Sequence, residues 1–312
     1  MLYLCMKNFK KVILKNINIW QENVQHDSCA TDLDFMHTTT VRKELWRVFL
    51  LLLLFLVLTQ GSIIVGGFIA LIHDMPKDTS KEAFIEHILC SDITRWTMVM
   101  GYVLAIAVFI SKRYIRVSLG RLAHMERKTL WTAAGMAALI SVGWLLTEGF
   151  LMELVHADSL FPEDTEKLNA IYGALGEGVL GFLTGGILAP IAEEIAFRGV
   201  LMRGMLKMRW HPWVAIVLSA LIFAFFHGTE LQMFGTTVFG IITGWLYWHT
   251  RSLLPNMFVH MVNNSLAFGV MNISECLGYD EDETHLSVKA CIIILVICIP
   301  LLLYGINWYK KH

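Results

Sequence analysis

The chain has 312 residues, of which 56% are hydrophobic and only 16% charged, with a formal net charge of −1. A soluble domain carries about a quarter charged residues, so this deficit excludes an ordinary water-soluble fold, and the balanced charge leaves no footprint for a nucleic-acid partner. The six cysteines show no CxxC spacing, which excludes a zinc-finger framework.

The first forty residues are polar and mixed. Lys and Asn interrupt the run before Trp20 too often for a signal-peptide core. Met36, closely followed by VRKELWR and the first apolar segment, is expected to be the natural start, with the preceding residues a flexible extension.

Apolar runs then occur at 48–72, 97–111, 130–155, 171–197, 213–227, 233–249, 254–270 and 290–308. A helical bilayer crossing needs ~20 such residues. The pattern predicts an all-α, polytopic membrane bundle of about eight helices, two of them short for a full span. Only a short segment around His227-Gly228-Thr229-Glu230 separates the fifth and sixth, which should form a tight helical hairpin. The expected organisation is a polar extension over 1–40, three membrane helices over 41–155, a polar-bearing core over 156–275, and an outer loop with a last helix over 276–312.

Lys and Arg collect in cytoplasmic loops of membrane proteins. Arg42, Lys43 and Arg47 precede the first helix, and Lys112, Arg113, Arg116, Arg121, Arg127 and Lys128 lie between the second and third. Arg203, Lys207 and Arg209 follow the fourth, and Lys310 and Lys311 close the chain. The alternate loops are acidic, with Glu163, Asp164 and Glu166 in one and Asp280–Glu283 in another. Both termini are therefore expected on the cytoplasmic side. Trp46, Trp96, Trp131, Trp210, Trp213 and Trp248 fall at the expected interfaces and read as anchors. Cys90 and Cys276 fall in loops on the same outer side, where a disulfide is open to them, while Cys291 and Cys298 read as small buried residues of one helix.

Ionisable side chains inside membrane helices cost ~2.5–3.5 kcal/mol each on insertion scales, so each is a functional candidate by default. The candidates are Glu193 with Glu194 and Arg198, His227, His260 with Asn264, and Glu177. Glu194 and Arg198 are four apart and can pair on one helix face. Glu193 is rotated about 100° from Glu194, so it points elsewhere. Phe223 and His227, like His260 and Asn264, also share a face at a spacing of four. Measured from the charged or Trp-marked inner ends at ~1.5 Å per residue, Glu193, His227 and His260–Asn264 all lie ~13–22 Å deep. Pro190, preceded by Gly181, Gly185 and Gly186, breaks the helix leading to Glu193. Irregular backbone at that depth is tolerated only against protein or a wet cavity.

In chain order, EEIAFR is an EExxxR motif, FAFFH an FxxxH motif and HMVNN an HxxxN motif. Together, each on an apolar segment, they resemble the CPBP family of intramembrane proteases, which includes type II CAAX prenyl endopeptidases and bacterial bacteriocin-processing or self-immunity homologues. The resemblance covers 171–270 and implies peptide-bond hydrolysis in a bacterial cell membrane, on a lipidated or hydrophobic peptide surrounded by membrane lipid. It implies Glu193 as general base on a water with help from His227, and His260 and Asn264 as oxyanion donors. Glu194, Arg198 and Phe223 would support them. No cofactor is expected. The alternative within the family is zinc held by Glu193, His227 and His260 in a three-ligand open site.

Plainer readings exist for every group. Glu194–Arg198 serves equally as a helix staple, His227 as an interfacial histidine, and His260–Asn264 as an interhelical cross-link. Glu177 matches no motif position and reads as a helix-end or cavity-lining residue. His124, His156, His211 and His249 read as solvated, and Ser219 and Ser265 as packing hydroxyls. HExxH, GxSxG and GxGD signatures are missing from the sequence. The rival function class is a transporter or scaffold that uses the Glu/His cluster as a proton or ion relay.

Overall fold

A computed structural model describes residues 38–73, 88, 90–111, 126–176, 178–276 and 288–311. Among these the regular structure is helical throughout, without strands. The expectations for Met36, Glu177, His124 and the acidic 280–283 loop lie outside the described residues, and the Cys90–Cys276 pairing falls on a side chain outside them.

The long helices are α1 (Thr38–His73), α2 (Asp92–Ser111), α3 (Arg127–Leu154), α4 (Pro162–Gly176) and the composite α5 (Gly178–Lys207). They continue as α6 (Pro212–Phe225), α7 (Glu230–Thr250), α8 (Leu254–Cys276) and α9 (Val288–Lys311). The chain divides into two units, Met1–Arg47 and Val48–His312. The described part of the first is the opening of α1, where Arg47 and Glu44 pair at 3.1 Å. All that follows concerns the second unit.

Five helices among the described residues are long and apolar enough to cross a membrane: α1, α2, α3, α5 and α9. The protein is an integral membrane protein. The other three expected spans differ for a physical reason. At 14 residues, α6 reaches only ~21 Å. α7 and α8 have 21 and 23 residues but are diluted by Thr and Gly in one and by His and Asn in the other. α4 is a separate polar helix whose last turn falls within the expected 171–197 run.

The expected hairpin is present, with α6 and α7 packed along each other. Gly228 takes φ +82°, a conformation that costs glycine nothing and lets the chain reverse after His227. Thr229 then caps α7, accepting from the Gln232 N–H at 3.2 Å. A second cap comes from α4, because Asp164 Oδ2 accepts from the Glu230 N–H at 2.7 Å and the Leu231 N–H at 3.3 Å. Close approach between α6 and α7 depends on Gly240, whose added Cβ would lie 2.8 Å from the Ala220 Cβ.

The core sits on α5, whose residues 195–202 are all buried. α2, α6 and α8 pack around it, and α3 packs on both α8 and α9. Ser141 of α3 donates to the Val259 carbonyl of α8 at 2.6 Å, and Tyr309 of α9 donates to the Ala133 carbonyl of α3 at 2.6 Å. Trp96, Trp131, Trp210 and Trp213 are exposed as expected of anchors, but Trp248 is buried with its ring edge-on to His249. His249 is half-buried, its ring lying over Trp245 at 3.8 Å between centroids. Cys298 is buried, as its apolar helix suggests.

Candidate active site

The approach to Glu193 is irregular, as Pro190 and its glycines suggest. Leu183–Leu188 and Ile195–Met202 are π-helical, with an ordinary α-helical stretch, Ala189–Glu194, between them. Proline has no N–H to give to the carbonyls four and five residues upstream, here Gly186 and Gly185. Those two carbonyls are satisfied from α8. Asn264 donates to the Gly185 oxygen at 3.0 Å, and Ser265 donates to the Gly186 oxygen at 3.4 Å. The second π stretch is tied down in the same way, with Ser219 of α6 donating to the Phe197 carbonyl at 3.0 Å. Both serines are therefore packing hydroxyls.

The two adjacent glutamates have different surroundings. Glu194 is completely buried and pairs with Arg198 at 3.1 Å, the four-residue spacing read from sequence. Its Oε1 also lies 3.0 Å from His260 Nδ1, and Asn256 donates to its Oε2 at 3.4 Å. A buried carboxylate survives only with such partners, since desolvation would otherwise outweigh any attraction. Arg198 is equally buried, donating to the Gly240 carbonyl at 3.2 Å and the Thr243 hydroxyl at 2.6 Å. Glu193 points away from this knot. Its side chain keeps 18% exposure, and its Oε2 stands 3.7 Å from His260 Nε2.

His260 thus lies between both carboxylates, one at each ring nitrogen. With a hydrogen bond from Nδ1–H to Glu194, its Nε2 donates only when the ring carries a second proton. His227 is oriented by its own helix. Its Nδ1 lies 2.9 Å from the Phe223 carbonyl, which can only accept, so Nδ1 carries the proton and the neutral ring leaves Nε2 as an acceptor.

Phe223 holds the three motif helices together. Its ring centre lies 4.5 Å from that of His227, 5.8 Å from that of His260 and 5.1 Å from that of Phe197, with the Arg198 guanidinium 4.7 Å above it. His227 is within electrostatic reach of Glu193, His260 and Arg198. Glu193, Glu194, Arg198, His227 and His260 are therefore gathered in one place, with Asn264 one turn along α8 on the Gly185 carbonyl.

Residues 175–266, less than a third of the chain, match the family model described as type II CAAX prenyl endopeptidase Rce1-like. The motif-bearing part of the chain is thus similar to CPBP-type membrane endopeptidases. A protein named as a membrane peptidase, YdiL of Bacillus subtilis (strain 168), is 23% identical over 155 residues. That alignment covers 50% of this chain and 61% of YdiL, so the chain spans less than two thirds of its relative's length. No solved structure matches the chain.

Among the described residues no three His, Cys, Asp or Glu side chains are grouped as metal ligands. His260, a member of the expected zinc set, has Nδ1 held by the buried Glu194 and Nε2 turned towards Glu193, an orientation open to a metal ligand as well as to a hydrogen-bond donor.

Four residues in and around the site are not singled out by the sequence. Asn256 is fully buried, joins Glu194 to the Thr243 carbonyl of α7 and continues the His260–Asn264 stripe one turn earlier. That four-residue spacing was the available signal. Thr243 and Gly240 receive Arg198, but nothing in an apolar helix marks a threonine or glycine as an arginine's acceptor. Glu148 is a further intramembrane acid on α3, hydrogen-bonded by Trp144 and pressed against Gly235 of α7.

Proposed function

We propose that the protein is an intramembrane endopeptidase that hydrolyses a peptide bond in a lipidated or hydrophobic, membrane-associated peptide. The reading is supported above all by the placement of His260 between a fully buried glutamate and a partly open one. That arrangement separates a fixed acid from a working one.

Glu193 takes a proton from a water, whose oxygen adds to the scissile carbonyl carbon. Negative charge then collects on the carbonyl oxygen, where preorganised donors in a dry site contribute most. His260 faces that oxygen through Nε2, which donates when the ring carries both protons, and Asn264 offers its second amide N–H. Collapse expels the amine, which takes that proton from Glu193, directly or relayed through Nε2 of His227. No covalent intermediate forms, and the chemistry uses no metal. Glu194 fixes the His260 ring through Nδ1, while Arg198 neutralises Glu194. The site faces the cytoplasmic side of a bacterial cell membrane, in keeping with basic residues at the inner helix ends.

The test uses purified full-length protein in liposomes with a fluorogenic prenylated CAAX peptide and an internally quenched hydrophobic peptide. Glu193→Gln should abolish cleavage, and His227→Ala should lower it by about 10²–10⁴-fold, the usual contribution of a general acid or base. Wild-type cleavage that survives both substitutions overturns the reading. Unchanged cleavage after exhaustive chelation, with no metal by elemental analysis, supports the metal-free route over zinc.

A further inference from the structure

Glu193, Glu194, Arg198 and His260 all project from helices, whereas His227 does not. α6 ends at Phe225 and α7 begins at Glu230, so His227 lies in the turn between them. Its ring is held by the Phe223 carbonyl, and its backbone N–H donates to the Ala224 carbonyl at 2.9 Å. Both ties run back to α6. The far end of the turn is set by the first turn of α7, just past the reversal at Gly228.

That first turn is secured from outside the hairpin. A helix begins with N–H groups that have no partner in the helix itself. Thr229 accepts from Gln232, while Asp164 Oδ2 accepts from Glu230 at 2.7 Å and from Leu231 at 3.3 Å. The carboxylate also suits the positive end of the α7 dipole. Although α4 is a polar helix, the Asp164 side chain keeps only 15% exposure, and its Oδ1 lies 3.6 Å from the Lys167 ammonium. One oxygen thus faces its own helix and the other is committed to α7. α4 also packs on α8 and on the π stretch Leu183–Leu188, so it touches each of the elements around the site's outer end. Asp164 nevertheless precedes the matched region 175–266 and belongs to none of the three motifs.

We infer that Asp164 is a positioning residue, which fastens the first turn of α7 to α4 and thereby fixes the place of the His227 ring. The catalytic consequence rests on the endopeptidase reading; the hold on the ring does not. With α7 unfastened, the turn gains freedom and the ring can leave the Phe223 carbonyl, so that Nε2 no longer stands ready as the acceptor. Small misplacements of such a group are costly, about 10²-fold for ~1 Å.

The experiment compares Asp164→Ala and Asp164→Asn with wild type in the full-length protein, and reads two signals. The first is the ring nitrogen resonances of His227 in protein labelled with ¹⁵N-histidine, identified by their loss in His227→Ala. Asp164→Ala should move them towards an average of the two tautomers. Asp164→Asn, which keeps an oxygen for the two N–H groups, should return them close to wild type. A cap that served stability alone would leave the ring signals in place. The second signal is cleavage of the fluorogenic prenylated CAAX peptide. Here Asp164→Ala should lower kcat by about 10–10²-fold with KM unchanged, and should add nothing in the His227→Ala background. Unmoved ring signals in Asp164→Ala overturn the inference, whatever the activity. Moved signals with an unchanged kcat overturn the positioning role. Moved signals in a protein whose wild type cleaves neither peptide uphold the hold on the ring and remove the endopeptidase reading instead. Should Asp164→Ala unfold, Asp164→Ser, too short to bridge to α7, gives the same comparison.

Discussion

Replacing Arg198 by Met keeps the length of the side chain but strips Glu194 of its countercharge. Both residues have 0% side-chain exposure, and the pair spans 3.1 Å. At ~4 Å and an effective dielectric near 20, two unit charges attract by about 4 kcal/mol. Removing one partner of a buried pair costs about 3–5 kcal/mol when measured directly, because the other charge stays behind. The stacking of the guanidinium on Phe223, 4.7 Å from the ring centre, adds about 0.5–2 kcal/mol. His260 and Asn256 still contact the carboxylate and hold part of that loss back. Arg198→Met should therefore lose about 3–5 kcal/mol. Glu194→Gln combined with Arg198→Met should lose less than the sum of the single variants, by a coupling of about 0.5–3 kcal/mol. Reversible unfolding in mixed detergent micelles, by SDS titration with helicity as readout, measures all three variants. A loss below about 1 kcal/mol for Arg198→Met, or strictly additive losses, would refute the argument that this pair is the counterweight of a buried acid.

Asn264→Leu should destabilise the protein by about 1–3 kcal/mol by leaving the Gly185 carbonyl without its donor. The loss should shrink in a Pro190→Ala background, where a backbone N–H becomes available, and the same micelle titration reads both. Asp164→Ala should cost about 0.5–2 kcal/mol, since it uncaps α7. Hydrogen exchange at the amides of Glu230 and Leu231 should rise in that variant while the site-bearing turns of α5 stay protected.

Much of the site was legible because membrane insertion penalises every ionisable side chain. Glu193, Glu194, Arg198, His227 and His260 stand out against Leu, Ile and Phe, and fixed four-residue spacings assign them to helix faces. The Glu194–Arg198 pair follows directly, because both partners lie on one helix. Phe223 is different. Its place in the FxxxH motif marks it, but its contact with Arg198, His227 and His260 comes from the packing of three helices. The histidine assignment shifts for the same reason. Sequence places His260 beside Asn264, but only tertiary contact puts its Nδ1 on Glu194 and its Nε2 towards Glu193.

Composition and periodicity alone determined the all-helical membrane class, the break at Pro190 and the split between the two glutamates. These are local consequences of hydropathy, proline chemistry and the 100° helical step. What completes the break was decided by tertiary structure: Asn264 and Ser265 reach from α8 to carbonyls some eighty positions earlier in the chain. The placement of Asn256 and Thr243 was decided there too. Hydrogen-bond partners and neighbours across a bundle depend on which helices meet and at what level, and a single helix's sequence does not encode its neighbour's face.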